Sequence, residues 1–482
     1  MVVKLEKPVR PLPPKQSRYG PDPDHIKTRT CDLENIVSVR VREFFRDIPE
    51  SIYPSERGIK AVREATVNAL TNVDMSMIKP ENSVNILGSH HGFLLAGGEP
   101  YAEMLKTIRD IIADKTGSEN LRLKVGVGLR FRESDEYIRR FGLDEYFGKG
   151  KAKGVAPIDE GIPIETEIGT LYGIKRCYDA DWIVHAHNSD VREIHFHRHV
   201  DKAVKPFGMS YARIETRSTY HQNLGPRSAN FVARAIFNSE LVQNKWTFAT
   251  FLKPTPAGIT GVDADNDLFA LDERLTKENF RHYGKILSLL SQIDECIVVL
   301  DFQAPIPYVF SAGMIFANFS AASVDIFDLD YPLPGYTWYT EAFYGTDDRP
   351  LIPDTPPINP AIKAMVINYA WGGYPSVFWA KMIPTIVVGE HQADVFDKDP
   401  QNIEFMNHAV VAKDLQTAIE FTTRIADTDK ILIFDGATEA INLSKPLAEE
   451  LVEKVTEVDK EVEQKLIPKW CRQRGIKIEK QI

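Results

Sequence analysis

The sequence predicts an α/β fold of two domains with mainly parallel sheets. Three observations carry this. Short apolar runs alternate with amphipathic helical patterns along most of the chain, as they do where crossover helices join parallel strands. The alternation runs in two rounds that meet near residues 255–275. The 482 residues, 43% of them hydrophobic, exceed one domain of roughly 150 residues and suffice for two cores. The expected division is an arm over 1–30, an α/β domain over 31–265, a second over 270–440, and a packed C-terminal helix within 441–482.

Taken in order, residues 1–25 carry Pro8, Pro11, Pro13, Pro14, Pro21 and Pro23. Proline fixes φ and removes donors, so this stretch reads as an extended arm on the body or on a neighbouring subunit. Ser55–Asn72 has helical spacing, Val84–Leu87 reads as a strand ending in GSHHGF, and Tyr101–Lys115 is an amphipathic helix. LRLKVGVG (121–128) is a strand, ESDEYIRRFG a short helix closed by Gly142, and DWIVHAH (181–187 within Asp181–His187) a further strand. GKGKAKG (148–154) lacks phosphate-loop spacing and reads as a mobile surface loop, and LKPTPAGITGVDADND (252–267) as the loop between rounds. The second round is helix Thr276–Gln292, strand Cys296–Asp301, a Pro-rich loop near 348–360, strand Thr385–Val388, helix Asp414–Ile425 and strand Lys430–Phe434. Pro446–Leu466 repeats apolar residues at spacings of three and four, a packed terminal helix.

Composition narrows the class. Net charge is -10, which argues against broad nucleic-acid binding. The four cysteines, Cys31, Cys177, Cys296 and Cys471, form no CxxC pair, so neither a disulfide framework nor a thiolate zinc site is indicated. The N-terminus has no secretory pattern. Phe302–Val324 lacks charge but holds Gln303, Pro305, Pro307 and Asn318 between Asp301 and Asp325, and reads as buried core rather than a membrane span. A cytoplasmic soluble protein is expected, with a homo-oligomer left open.

Histidine is concentrated. Five of the twelve fall between His185 and His199, and His221 follows. His195, His197 and His199 alternate, so a strand puts all three on one face and a helix pairs His195 with His199. Either arrangement offers two neutral imidazoles to one metal ion. Equally, the cluster with Arg192, Arg198, Lys202 and Lys205 holds a phosphate or carboxylate, or pairs with Glu193 and Asp201. Ser89, His90 and His91 follow a strand and precede a helix, where loops of α/β folds meet ligands, with a solvated turn as the alternative. Arg130 and Arg132 lie just beyond a strand and either clamp a carboxylate or pair with Glu133, Asp135 or Glu136. No G-x-S-x-G, H-E-x-x-H or G-x-G-x-x-G stands in a credible context.

Over roughly residues 55–440 these pieces resemble the lactate-racemase-like family, whose active members use a nickel-pincer nucleotide. LRLKVGVGLRFRESDEYIRRFGLDEY is similar to the family's strand, catalytic loop and short helix. DADWIVHAHNSDVREIHFHRHVDKAVKPFG and RSTYHQN are similar to the stretch that carries its tether and metal ligand, and VFWAKMIPTIVVGEH with AVVAKDLQTAIEFTTRIADTDKILIFDG to its closing strand–helix–strand. The resemblance implies an active-site cleft between the two domains, with Lys202, four residues before Pro206, as the cofactor tether and His221 as nickel ligand. Its two acid/base histidines fall on Arg130, and on Arg192 or His195 depending on a short insertion. Arginine stays protonated and is no general base, so Arg130 and Arg192 become carboxylate anchors and His195 or His199 the acid/base group. His197 is a further metal candidate, and Ser89 and His90 candidate cofactor contacts. The reading is a racemase or epimerase of a small anionic α-hydroxy acid that transfers the α-hydrogen reversibly as hydride. The alternatives are a divalent-metal hydrolase or isomerase built on His195, His197 and His199, and a non-catalytic anion-binding relative.

Overall fold

The computed structural model describes residues 4–11, 13, 20–126, 133–189, 203–219, 225–301, 319–320, 325, 327–330, 358–370, 372, 375, 377–399, 402 and 404–478. In chain order the strands are β1 (Ile36–Arg40), β2 (Ser83–Ser89), β3 (Asn120–Gly126), β4 (Ala152–Val155), β5 (Gly161–Thr166), β6 (Gly169–Ile174), β7 (Trp182–Asn188) and β8 (Trp246–Thr255). They continue with β9 (Gly258–Asp265), β10 (Cys296–Asp301), β11 (Ile362–Tyr369), β12 (Thr385–Val388), β13 (Val410–Ala412), β14 (Ile431–Phe434) and β15 (Ala440–Ser444). The fold is α/β with two mostly parallel sheets, as the alternation of patterns implies.

The first sheet has the order β4-β3-β2-β7-β8-β9, parallel except for the antiparallel edge strand β9. The second has the order β1-β15-β14-β10-β11-β12-β13, parallel from β14 to β13 and antiparallel at β15 and β1. β1 therefore precedes the first sheet in the chain but belongs to the second. The inner strands β2, β7, β8, β10, β11 and β14 are buried on both faces, which is why they read as largely apolar runs such as CIVVLD in β10. One continuous buried cluster joins Val84 and Ile86 of β2 to Val298 and Leu300 of β10 through Phe280, Tyr283 and Ile286 of the helix Leu268–Leu290.

Three segments differ from the sequence reading. Residues 252–267 are not a loop but the end of β8 and all of β9, a hairpin closed at Thr255↔Gly258. Its prolines sit where a ladder tolerates them, Pro254 at a register shift and Pro256 in the turn, and Ile259 exchanges backbone hydrogen bonds with Tyr53. In 148–154 only the first residues form a turn; from Ala152 the chain is the edge strand β4, paired with Leu123–Gly126. The helix read as Thr276–Gln292 begins earlier, at Leu268, because the Asp267 carboxylate accepts from the Phe269 and Ala270 N–H groups and caps it. Phe302–Val324 lies mostly outside the described residues. Among the described residues no helix is long and apolar enough to cross a membrane.

Strand order fixes two special places. In each sheet the chain moves outward from one strand and then returns to its other side: from β2 to β3 and β4 then back to β7, and from β10 to β11, β12 and β13 then back to β14. The carboxyl ends of β2/β7 and of β10/β14 are thus topological switch points, where open α/β sheets bind ligands.

At the second switch point the N-terminal arm fills the position. Asp301, the last residue of β10 and 0% exposed, accepts from Arg29 Nε at 2.8 and 2.9 Å and from the Thr30 N–H and hydroxyl, both at 3.0 Å. Asn368 Nδ2 reaches Asp301 at 3.1 Å and the Thr28 carbonyl at 2.9 Å. Beside them Asp435, just after β14, accepts from Asn442 Nδ2 at 2.7 Å, and Asn442 also exchanges hydrogen bonds with the Val9 backbone. The described parts of the arm lie on the body of their own chain.

Candidate functional site

The first switch point is built differently. The hydrogen-bonded register of β2 with β7 runs from Val84↔Trp182 to Leu87↔His185, and beyond it the strands part. Tyr101, from the helix Glu99–Thr116, stands in the gap. Its hydroxyl accepts from Ser89 N–H at 3.0 Å and donates to the Ala186 carbonyl at 2.7 Å, replacing the ladder bonds that the parting removes. Glycines leave room for it: a Cβ on Gly92 would lie 2.5 Å from the Tyr101 ring, and one on Gly88 2.9 Å from its hydroxyl.

The parallel register aligns side chains in rows on one face. Leu87 pairs with Lys124 and with His185, so one row reads Lys124–Leu87–His185. The row above it, at the strand ends, carries Gly126 beside Ser89, and His187 two residues beyond His185. The Ser210 hydroxyl donates to Ser89 Oγ at 3.1 Å, and Ser89 Oγ also accepts the His91 N–H at 3.4 Å. Ser89, His90 and His91 are all buried, with the His90 and His91 rings 4.2 Å apart.

His185 is a structural imidazole. It is wholly buried, with Nε2 3.0 Å from the Ala203 carbonyl and Nδ1 2.9 Å from the Tyr211 hydroxyl, which also donates to the Leu87 carbonyl at 3.0 Å. A carbonyl only accepts, so Nε2 carries the proton and Nδ1 shares the Tyr211 proton with Leu87. Burial pushes this imidazole down to about 3, and its partners raise it only in part. Both nitrogens are committed.

His187 is placed otherwise. Its Nδ1 accepts the Asn188 N–H at 2.8 Å and lies 3.0 Å from the Asn188 carbonyl, and its ring packs 5.9 Å from both His185 and Phe251. Lys124, in the row below the strand ends, is buried too. Burial lowers the Lys124 ammonium from its ordinary value.

Of the residues singled out in the sequence, Ser89 and His90 stand at this switch point. Arg130, Arg192, His195, His197, His199, Lys202 and His221 lie outside the described residues. In chain order, Arg130 follows the end of β3, and Arg192 through Lys202 follow the end of β7. Of their suggested carboxylate partners, Glu133 is buried against the Tyr137 hydroxyl and Asp135 accepts the Gly154 N–H at 2.8 Å. Tyr101, His187 and Ser210 were not anticipated; the alternation of His185 and His187 along DWIVHAH is the signal that points to the second of them. Among the described residues no three His, Cys, Asp or Glu side chains group as a metal site.

Buried titrating groups set how stability depends on pH. His185 is held near 3 and His282 near 4, both chiefly by burial, while burial raises Asp435 to about 6. Between pH 6 and 4 the unfolded chain binds two imidazole protons that the native state lacks. The native state binds one carboxyl proton, on Asp435, that the unfolded chain lacks. The two imidazoles thus remove stability as pH falls and Asp435 restores some; from these three groups alone the net is roughly one proton, or about 1.4 kcal/mol lost per pH unit near pH 5. Urea unfolding at pH 6, 5 and 4 measures this, and stability that rises on acidification contradicts it.

The fold and this edge define the class: a doubly wound α/β protein with a polar switch point in its first sheet. No protein-family model and no curated protein matches the chain. Among solved structures it is similar to the lactate racemase apoprotein from Thermoanaerobacterium thermosaccharolyticum, at 14% identity and a TM-score of 0.41, over 78% of this chain and 92% of that one. A likeness at that level assigns neither reaction nor cofactor.

Proposed function

We propose that the chain is an isomerase, a racemase or epimerase of a small anionic 2-hydroxy acid, acting at the β2/β7 switch point. The observation that supports this reading is topological. β3, β2 and β7 are neighbours, and from their carboxyl ends depart the segment with Arg130, the turn with Ser89 and His90, and the segment with Arg192 through Lys202.

In this reading Arg130 and Arg192 hold the substrate carboxylate, each able to form a bidentate pair and neither able to act as a base. His195 or His199 moves the hydroxyl proton. Lys202 tethers the cofactor, His221 ligates its nickel with His197 as a further imidazole, and Ser89 and His90 line the cofactor's side of the edge. The donor set fits the group in kind, since an amine and neutral imidazoles suit a tethered nickel centre. When bound, a nickel-pincer nucleotide supplies an electrophilic carbon for reversible hydride transfer.

Protein co-expressed with cofactor biosynthesis is to be examined by intact mass and metal analysis. An adduct on Lys202 with stoichiometric nickel supports the reading. Metal without adduct supports instead a divalent-metal enzyme on His195, His197 and His199, and neither supports a non-catalytic anion-binding protein. Lys202→Ala is expected to abolish interconversion of D- and L-2-hydroxy acids and to leave the melting transition nearly unchanged. A large loss of stability marks Lys202 as structural.

A further inference from the structure

We infer that Lys124, Arg122 and Lys153 form an oxyanion site at the β3–β4 edge of the first sheet, one that takes a doubly charged phosphate group. Along LRLKVG, side chains alternate between the two faces of β3. Leu121, Leu123 and Val125 enter the main core, and Arg122 and Lys124 stand on the opposite face. The edge strand β4, at the end of the GKGKAKG stretch, brings Lys153 into register with Lys124. Three cations thus share one edge of the sheet.

Lys124 is 6% exposed, and among the described residues its amine has neither a hydrogen bond nor an ion pair. Nζ keeps contact with solvent, so a solute reaches it. Desolvation lowers this ammonium, the Asp179 charge raises it, and the Arg122 and Lys153 charges lower it again. Asp179 is engaged elsewhere: its Oδ1 accepts from Asn85 Nδ2 at 3.0 Å and lies 3.6 Å from Arg122 Nη1. Arg122 directs Nε to Asn120 Oδ1 at 3.1 Å, and its Nη2 has no partner among the described residues. The exposed Lys153 amine has none either. Burying an unpaired ammonium beside like charges destabilises the sheet, so packing alone does not account for the group. A phosphate does account for it. Its oxygens accept from ammonium and guanidinium groups together, and its two charges neutralise the excess of three cations over one carboxylate.

The test titrates full-length protein with inorganic phosphate, against chloride at matched ionic strength, and reads calorimetric binding and the melting transition. Phosphate is expected to bind wild type and to raise its melting transition. Lys124→Met is expected to bind it at least about tenfold more weakly, since a charge-assisted bond is removed. Without phosphate, Lys124→Met should melt no lower than wild type, because the unpaired charge is gone. Lys153→Gln alters an exposed side chain and is expected to weaken binding severalfold. Lys151→Gln, whose lysine amine bonds the Glu119 carbonyl instead, is expected to leave binding unchanged. Phenyl phosphate bound more tightly than phosphate identifies the occupant as a phosphomonoester, and phosphate bound at least as tightly identifies it as the free ion. Wild type that binds neither overturns the site, as does equal binding by Lys124→Met and wild type. If Lys124→Met does not fold, unchanged binding in both Lys153→Gln and Arg122→Gln overturns it.

Discussion

Arg29→Ala is expected to destabilise the second sheet by about 3–5 kcal/mol, the range for removing one partner of a buried ion pair. Arg29 is 7% exposed and Asp301 0%, so water cannot replace the guanidinium. Without it Asp301 keeps only the two bonds from Thr30 and the one from Asn368, as a buried charge beside the buried Asp435. Arg29 also donates to the Asp301 backbone carbonyl at 2.9 Å, so the strand end loses a main-chain partner as well. Two further variants separate charge from shape. Arg29→Lys keeps the cation but cannot reproduce the fork, and should recover only part of the loss. Arg29→Met combined with Asp301→Asn removes the uncompensated charge and should cost much less than Arg29→Ala. Denaturant unfolding of the four proteins checks this, and a double variant as unstable as Arg29→Ala contradicts it.

The same pair shows where sequence legibility ends. Pro8 through Pro23 make an arm legible, because proline constrains the chain locally. Nothing local shows what Arg29 binds, since Asp301 lies 272 residues away. Strands buried on both faces were legible as unbroken apolar runs, and β10 coincides with its expected limits, Cys296–Asp301. The β8–β9 hairpin was not, because Pro254, Pro256 and the acidic residues Asp263 and Asp265 imitate a loop. Arg274 neutralises those two carboxylates at 2.8–3.2 Å from a helix that follows. At the candidate site, the two-residue alternation of His185 and His187 was visible, but not which imidazole the fold would commit. That depends on Tyr211 and on the Ala203 carbonyl, which arrive from another segment. Tyr101 carried no signal at all: its role follows from the place where β2 and β7 part.

Gly126→Ala is expected to dismantle that edge. A Cβ there would stand 2.2 Å from the Ser210 carbonyl oxygen and 2.7 Å from its carbon, so backbone has to move rather than a side-chain tip. The Ser210 backbone is not free to yield. Tyr211 donates its N–H to Pro206, accepts at its carbonyl from Ile174 N–H at 2.8 Å, and anchors its hydroxyl on Leu87. Relief therefore lifts the segment 203–212 from the sheet, breaking the Ser89–Ser210 contact and both partners of His185 together. A loss of at least about 1–3 kcal/mol is expected, as for overpacking. Gly142→Ala is the control for backbone strain: its φ is +61°, but a Cβ meets nothing within 4 Å, so the penalty is about 1 kcal/mol. The distinguishing result is in the pH dependence. Once His185 loses its burial it no longer withholds its proton in the native state, so Gly126→Ala should lose less stability than wild type between pH 6 and 4, where Gly142→Ala keeps the wild-type slope. Identical slopes in all three proteins, with Gly126→Ala as stable as wild type, contradict the close approach of Ser210 to β3 on which the site is built.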